Sequence, residues 1–98
     1  MKPSEFPNFV ELLKKRAQNH PDRDCVIFLG NEEEQATTMT YCQNDISARI
    51  VANNLQKMGI TKGDRVIILL PNSLEFIKIF FGCLYGGLLA VPLAEPTS

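Results

Sequence analysis

The sequence predicts an α/β fold: an N-terminal helix, a β-hairpin, a second helix and then a parallel β-α-β unit. Two observations carry that expectation. Three points along the chain place a polar capping residue three positions before Glu or Gln, just ahead of an apolar pattern with helical spacing: Asn8 with Glu11, Thr40 with Gln43, and Asn72 with Glu75. In addition, Val66, Ile67, Ile68, Leu69 and Leu70 form an unbroken apolar run, and a shorter run from Leu88 to Val91 follows after an intervening helical pattern. Apolar strands without alternation, joined by a helix, read as parallel strands covered on both faces with a right-handed crossover.

The first helix is expected over residues 9–19. Val10, Leu13 and Ala17 share one face, flanked by Phe9 and Leu12, and Lys14, Lys15 and Arg16 occupy the opposite side and the last turn. Positive charge there suits the helix dipole, so the basic triplet reads as a solvated face. Pro21 ends the helix. Cys25 to Leu29 is a compact strand, and Thr37 to Tyr41 is rich in β-forming residues. Between them lie Gly30, Asn31 and the acidic run Glu32, Glu33, Glu34, which reads as the solvated tip of an antiparallel hairpin. Three consecutive carboxylates on a turn point in different directions, which argues against a metal site.

The second helix is expected over residues 41–58, with Tyr41, Ala48, Val51, Ala52, Leu55 and Met58 on its apolar stripe. Gly59 closes it in a left-handed conformation, and Ile60 is placed for the accompanying apolar contact. Asn44 falls on the stripe where an apolar residue is expected. Lys62, Gly63 and Asp64 form a turn, with Asp64 bonding nearby backbone. The third helix is expected over residues 73–85. Leu74, Ile77, Phe80, Phe81, Leu84 and Tyr85 leave little of it polar, which predicts deep packing, and Gly86-Gly87 is its stop signal.

A chain of 98 residues makes one domain at most. Ten basic and eleven acidic residues leave a net charge of −1, so no basic patch is available to neutralise phosphates and nucleic acid is not an expected partner. The three cysteines, Cys25, Cys42 and Cys83, are odd in number and widely spaced, which fits neither a disulfide framework nor a zinc site. Cys25 and Cys83 sit in apolar runs and read as core thiols suited to a reducing cytosol. A Cys–His site would need Cys42 to meet His20, the only histidine. The N-terminal residues Met1 to Glu5 are polar and no apolar stretch follows them, as a signal peptide would require. The longest uncharged run, residues 79–94, is too short to span a bilayer and contains the Gly86-Gly87 stop. A soluble, cytoplasmic protein with no membrane span is the expectation.

No constellation of chemistry-bearing residues stands out. The turn Leu70-Pro71-Asn72-Ser73 lies where α/β folds often bind phosphate, but it has neither the glycines of a dinucleotide loop nor the Gly-Lys-Ser/Thr of a P-loop. A helix cap at Asn72 is the simpler reading, with an anion site as the alternative. Adjacent Asp64 and Arg65 read as a turn rather than an acid/base pair. Tyr85 reads as a core aromatic with a polar tip, with a pocket lining as the alternative.

Several motifs in order resemble the opening of the acyl-adenylate-forming enzymes, the AMP-dependent synthetase/ligase superfamily. They are Thr40-Tyr41 ending the hairpin; Ala48, Ala52 and Leu55 on a helix ending in Gly59; Gly63-Asp64-Arg65-Val66; Pro71-Asn72-Ser73 with Glu75-Phe76; and Ala90-Val91-Pro92. The stretch Phe81-Gly82-Cys83-Leu84-Tyr85-Gly86-Gly87 is similar to the fatty acyl-AMP ligase branch in particular. The chain departs from the family's Leu at Asn44 and from the branch's usual Ala near Gly86. The resemblance implies that residues 1–98 are the N-terminal part of an AMP-binding domain, with 95–98 a linker or truncation point. It implies a parent reaction in which a fatty acid and ATP, with Mg, give acyl-AMP and pyrophosphate. The family's phosphate loop, adenine and ribose contacts, metal-binding Glu and catalytic Lys lie beyond the position equivalent to Ser98. No catalytic, cofactor-binding or metal residue is therefore assigned to this chain, and no cofactor is expected within it. The expected partner is the remainder of the ligase chain, with the fatty acid a substrate of the parent enzyme only. The chain then reads as an inactive scaffold fragment or split-gene product. Alternatives are a free-standing α/β binding module and a docking partner of a split ligase.

Overall fold

The computed structural model describes residues 6–28, 37–70 and 73–93. Its order is α1 (Phe6–Asn19), β1 (Asp24–Phe28), β2 (Thr37–Thr40), α2 (Tyr41–Lys57), β3 (Arg65–Ile68), α3 (Leu74–Tyr85) and β4 (Leu89–Pro92). The α/β class and the element order are those the sequence predicts. The chain divides into two compact units, Met1–Ile46 and Ser47–Ser98, and α2 runs from one into the other.

In the first unit α1 buries Val10 and Leu13, one turn apart, while Leu12 lies exposed. The helix begins at Phe6, so Asn8 is inside it and does not cap it, correcting the Asn8–Glu11 cap. Glu11 instead forms an exposed i,i+3 ion pair with Lys14 at 3.8 Å. The last turn closes on itself through the His20 N–H and the Arg16 carbonyl at 2.7 Å. Past it, the Arg16 guanidinium stacks over the Tyr41 ring, 5.9 Å from its centre. Strands β1 and β2 pair antiparallel, with Val26 opposite Met39 and Phe28 opposite Thr37. The register shifts between Asp24 and Val26, which leaves Cys25 as the extra residue of a bulge. The hairpin tip, with Glu32, Glu33 and Glu34, lies outside the described residues.

The start of α2 is held on both of its sides. The Gln43 N–H donates to Thr40 Oγ1 at 3.1 Å and the Thr40 N–H donates to Gln43 Oε1 at 2.9 Å, the reciprocal capping box the sequence predicts. The Tyr41 and Cys42 N–H groups donate to the Arg23 and Pro21 carbonyls, at 2.9 and 3.1 Å, so four donors of the first turn and cap are satisfied. Met39 and Asn44 are buried beside this start, Asn44 only 1% exposed.

The second unit is the β-α-β unit and the helix leading into it. The end of α2 is a Schellman motif: Ile60 N–H to the Leu55 carbonyl at 3.1 Å, Gly59 N–H to the Gln56 carbonyl at 3.0 Å, and Gly59 at φ +90°. Met58 falls in the turn beyond the last helical residue and is 74% exposed, so it drops off the expected stripe. Asp64 Oδ2 accepts the Thr61 N–H at 2.8 Å, the side-chain-to-backbone turn expected there. Strands β3 and β4 pair in parallel, Arg65 opposite Leu89 through Ile68 opposite Pro92. Gly63 N–H to the Gly87 carbonyl at 3.0 Å and Leu89 N–H to the Asp64 carbonyl at 2.8 Å fix where the pairing begins.

The sheet has one buried face. Val66 is half-buried and Ile68 only 3% exposed, whereas the alternate residues Ile67 and Leu69 are 59% and 68% exposed. The unbroken apolar run predicts two covered faces, and the described residues cover one. The third helix likewise is less buried than its composition predicts. Only Gly82 and Cys83 are fully buried in it, and Phe76, Ile77, Phe80 and Phe81 are half-buried. Gly82 is where α3 meets α2: a Cβ there would overlap Val51, lying 2.5 Å from its Cβ.

Candidate functional site

In α/β folds the place to look for a site is the carboxyl end of the strands, where the chain turns into a helix. Here that turn runs from β3 to α3, and Pro71 and Asn72 lie outside the described residues. Ser73, not Asn72, caps α3. It is extended (φ −159°, ψ 171°), and its Oγ accepts the Phe76 N–H at 3.2 Å. Glu75, expected to close a capping box with Asn72, pairs with Lys78 at 3.5 Å. A Ser one residue closer to the apolar stripe competes for the cap, and its short hydroxyl reaches the donor three residues on. The Ile77 N–H bonds the Ser73 carbonyl at 3.2 Å. The cap thus engages the Phe76 donor, and Ile77 begins the ordinary intrahelical ladder.

Among the described residues the other chemistry-bearing side chains do not converge. Among the described residues no group of three or more His, Cys, Asp or Glu is placed to hold a metal ion. Asp64 is engaged by Thr61, through both the backbone N–H and, at 3.3 Å, the hydroxyl. Cys83 is fully buried, and burial pushes its thiol up from its ordinary value; the half-buried Cys25 is pushed up for the same reason. A thiol held protonated is a poor nucleophile, in keeping with a packing role. Cys42 is half-buried and His20 is exposed. Tyr85 ends α3 half-buried beside Gly86. Among the described residues no helix is long and apolar enough to cross a membrane.

The β3-α3-β4 unit therefore presents surfaces rather than a catalytic constellation. Its ends are closed by backbone: Gly87 at φ +71° and Leu88 complete a second Schellman motif, with Leu88 N–H to the Cys83 carbonyl at 2.9 Å and Gly87 N–H to the Leu84 carbonyl at 3.1 Å. Its outer sheet face shows Ile67, Leu69, Leu89 and Leu93 to solvent. Phe80 packs against Phe76 in a near-parallel stack at 6.3 Å and meets Phe81 edge-on at 5.9 Å.

This helix, hairpin, helix and parallel β-α-β sequence is part of the N-terminal domain of adenylate-forming ligases, and the comparisons with known proteins agree. Residues 13–96 match the family of AMP-binding enzymes, and the chain belongs to that family. It is 36% identical over 96 residues to the medium-chain-fatty-acid–acyl-carrier-protein ligase JamA of Moorena producens, covering 98% of this chain and 16% of that protein. It is 39% identical over 88 residues to the long-chain-fatty-acid–AMP ligase FadD26 of Mycobacterium marinum, covering 87% of this chain and 15% of that one. Among solved structures, a fatty acyl-adenylate ligase from L. pneumophila, in complex with acyl adenylate and pyrophosphate, superposes with a TM-score of 0.80. It is 40% identical and covers 89% of this chain and 15% of that structure. The chain thus spans about a sixth of the length of the ligases it matches.

Proposed function

We propose that this chain is the scaffold portion at the N-terminal end of a fatty acyl-AMP ligase. In the parent reaction a fatty-acid carboxylate oxygen attacks the α-phosphorus of ATP; a carboxylate–phosphorus bond forms, the α–β phosphoanhydride bond breaks, and pyrophosphate leaves. ATP and Mg are taken by the complete enzyme, and this segment supplies none of their ligands. Its task is to present a folded β-α-β unit on which the remainder of the ligase is built. The exposed apolar sheet face of Ile67, Leu69, Leu89 and Leu93 is the seat for that remainder. The reading includes a cytoplasmic setting, in which three unpaired thiols stay reduced.

The observation that supports this most is the shared order of elements and sequence with the Legionella ligase across nearly all of this chain. The test is a chimera in which residues 13–93 replace the corresponding segment of that ligase. Fatty-acid-dependent ATP–pyrophosphate exchange is expected to persist, and a folded chimera with no exchange would overturn the proposal. A polypeptide of these 98 residues alone should show background exchange with fatty acid and Mg-ATP, because it lacks the positioned charges that phosphoryl-region chemistry needs. Clear fatty-acid-dependent exchange from it would rule out a purely supporting role.

A further inference from the structure

We draw no further inference here: the strongest candidate, the exposed apolar face of the two-stranded parallel sheet around Ile67, Leu69, Leu89 and Leu93, is the surface already assigned to the remainder of a ligase, and nothing in the structure shows what else covers it.

Discussion

Asn44 is the residue at which this chain spends stability without a visible return. It lies on α2 one turn before the fully buried Ala48, and among the described residues neither its Nδ2 nor its Oδ1 has a hydrogen-bond partner. An unpartnered buried amide costs about 1–3 kcal/mol. Leu has the same branched outline and the higher helix propensity, so Asn44→Leu should raise the thermal unfolding midpoint. A lower midpoint would mean that the amide makes a bond that matters. Gly82 poses the opposite case. A methyl group there would run into Val51, so Gly82→Ala should destabilise by about 1–3 kcal/mol through overpacking. Val51→Gly removes both obstructing atoms, Cβ and Cγ1, so in a double-mutant cycle the pair should cost less than the two single changes summed. If denaturant titration finds the two costs simply additive, the helix contact is not the cause.

The helices differ in how far their ends follow from local chemistry. The box at Thr40 and Gln43 and the glycine stops at Gly59 and Gly87 depend only on neighbouring residues, and all three form as their residue types dictate. The starts of α1 and α3 are less sharply specified, since more than one residue near each can begin the helix. Phe6, Pro7 and Asn8 all join α1, and Ser73 takes the cap that Asn72 also fits by pattern. The paired glycines after α3 separate the two roles of glycine. Gly86 is right-handed (φ −82°), and a Cβ there would make ordinary contacts at 3.5 Å or more. Gly86→Ala should therefore stabilise by about 0.4–1 kcal/mol by restricting the unfolded chain. Gly87 is left-handed, and a Cβ would press on Lys62 Cγ at 3.0 Å, so Gly87→Ala should destabilise. Equal and same-signed shifts in unfolding midpoint for the two variants would contradict this assignment.

For the molecule as a whole, the deciding quantity is apolar surface left without cover. Among the described residues the parallel sheet has two strands, each with an open edge, and one of its faces also carries Ile67, Leu69, Leu89 and Leu93 in water. A net charge of −1 offers little repulsion. The 98-residue polypeptide by itself should associate as its concentration rises, which light scattering over a dilution series will follow. Charging the face with Ile67→Lys and Leu69→Lys should reduce the association. A sharp, concentration-independent monomer with cooperative unfolding would refute the expectation and favour a free-standing module instead.

The amino-acid sequence alone dictates the α/β class, the order of the described elements, the antiparallel pairing of β1 and β2, the parallel pairing of β3 and β4 and the family. Each of these rests on short-range signals: apolar period, capping residues, turn glycines, and motifs whose order survives along the chain. It was also right that Asn44 interrupts an apolar stripe. Only the tertiary structure decided that Ser73 caps α3, that Cys25 is a bulge residue, and that Gly82 is the contact point of α2 and α3. The same holds for burial. An apolar residue in β3 or α3 reads as covered wherever it stands, but cover comes from other elements, and within the described residues only one face of the sheet receives it. Composition records what a surface needs, and packing between distant segments decides whether that need is met.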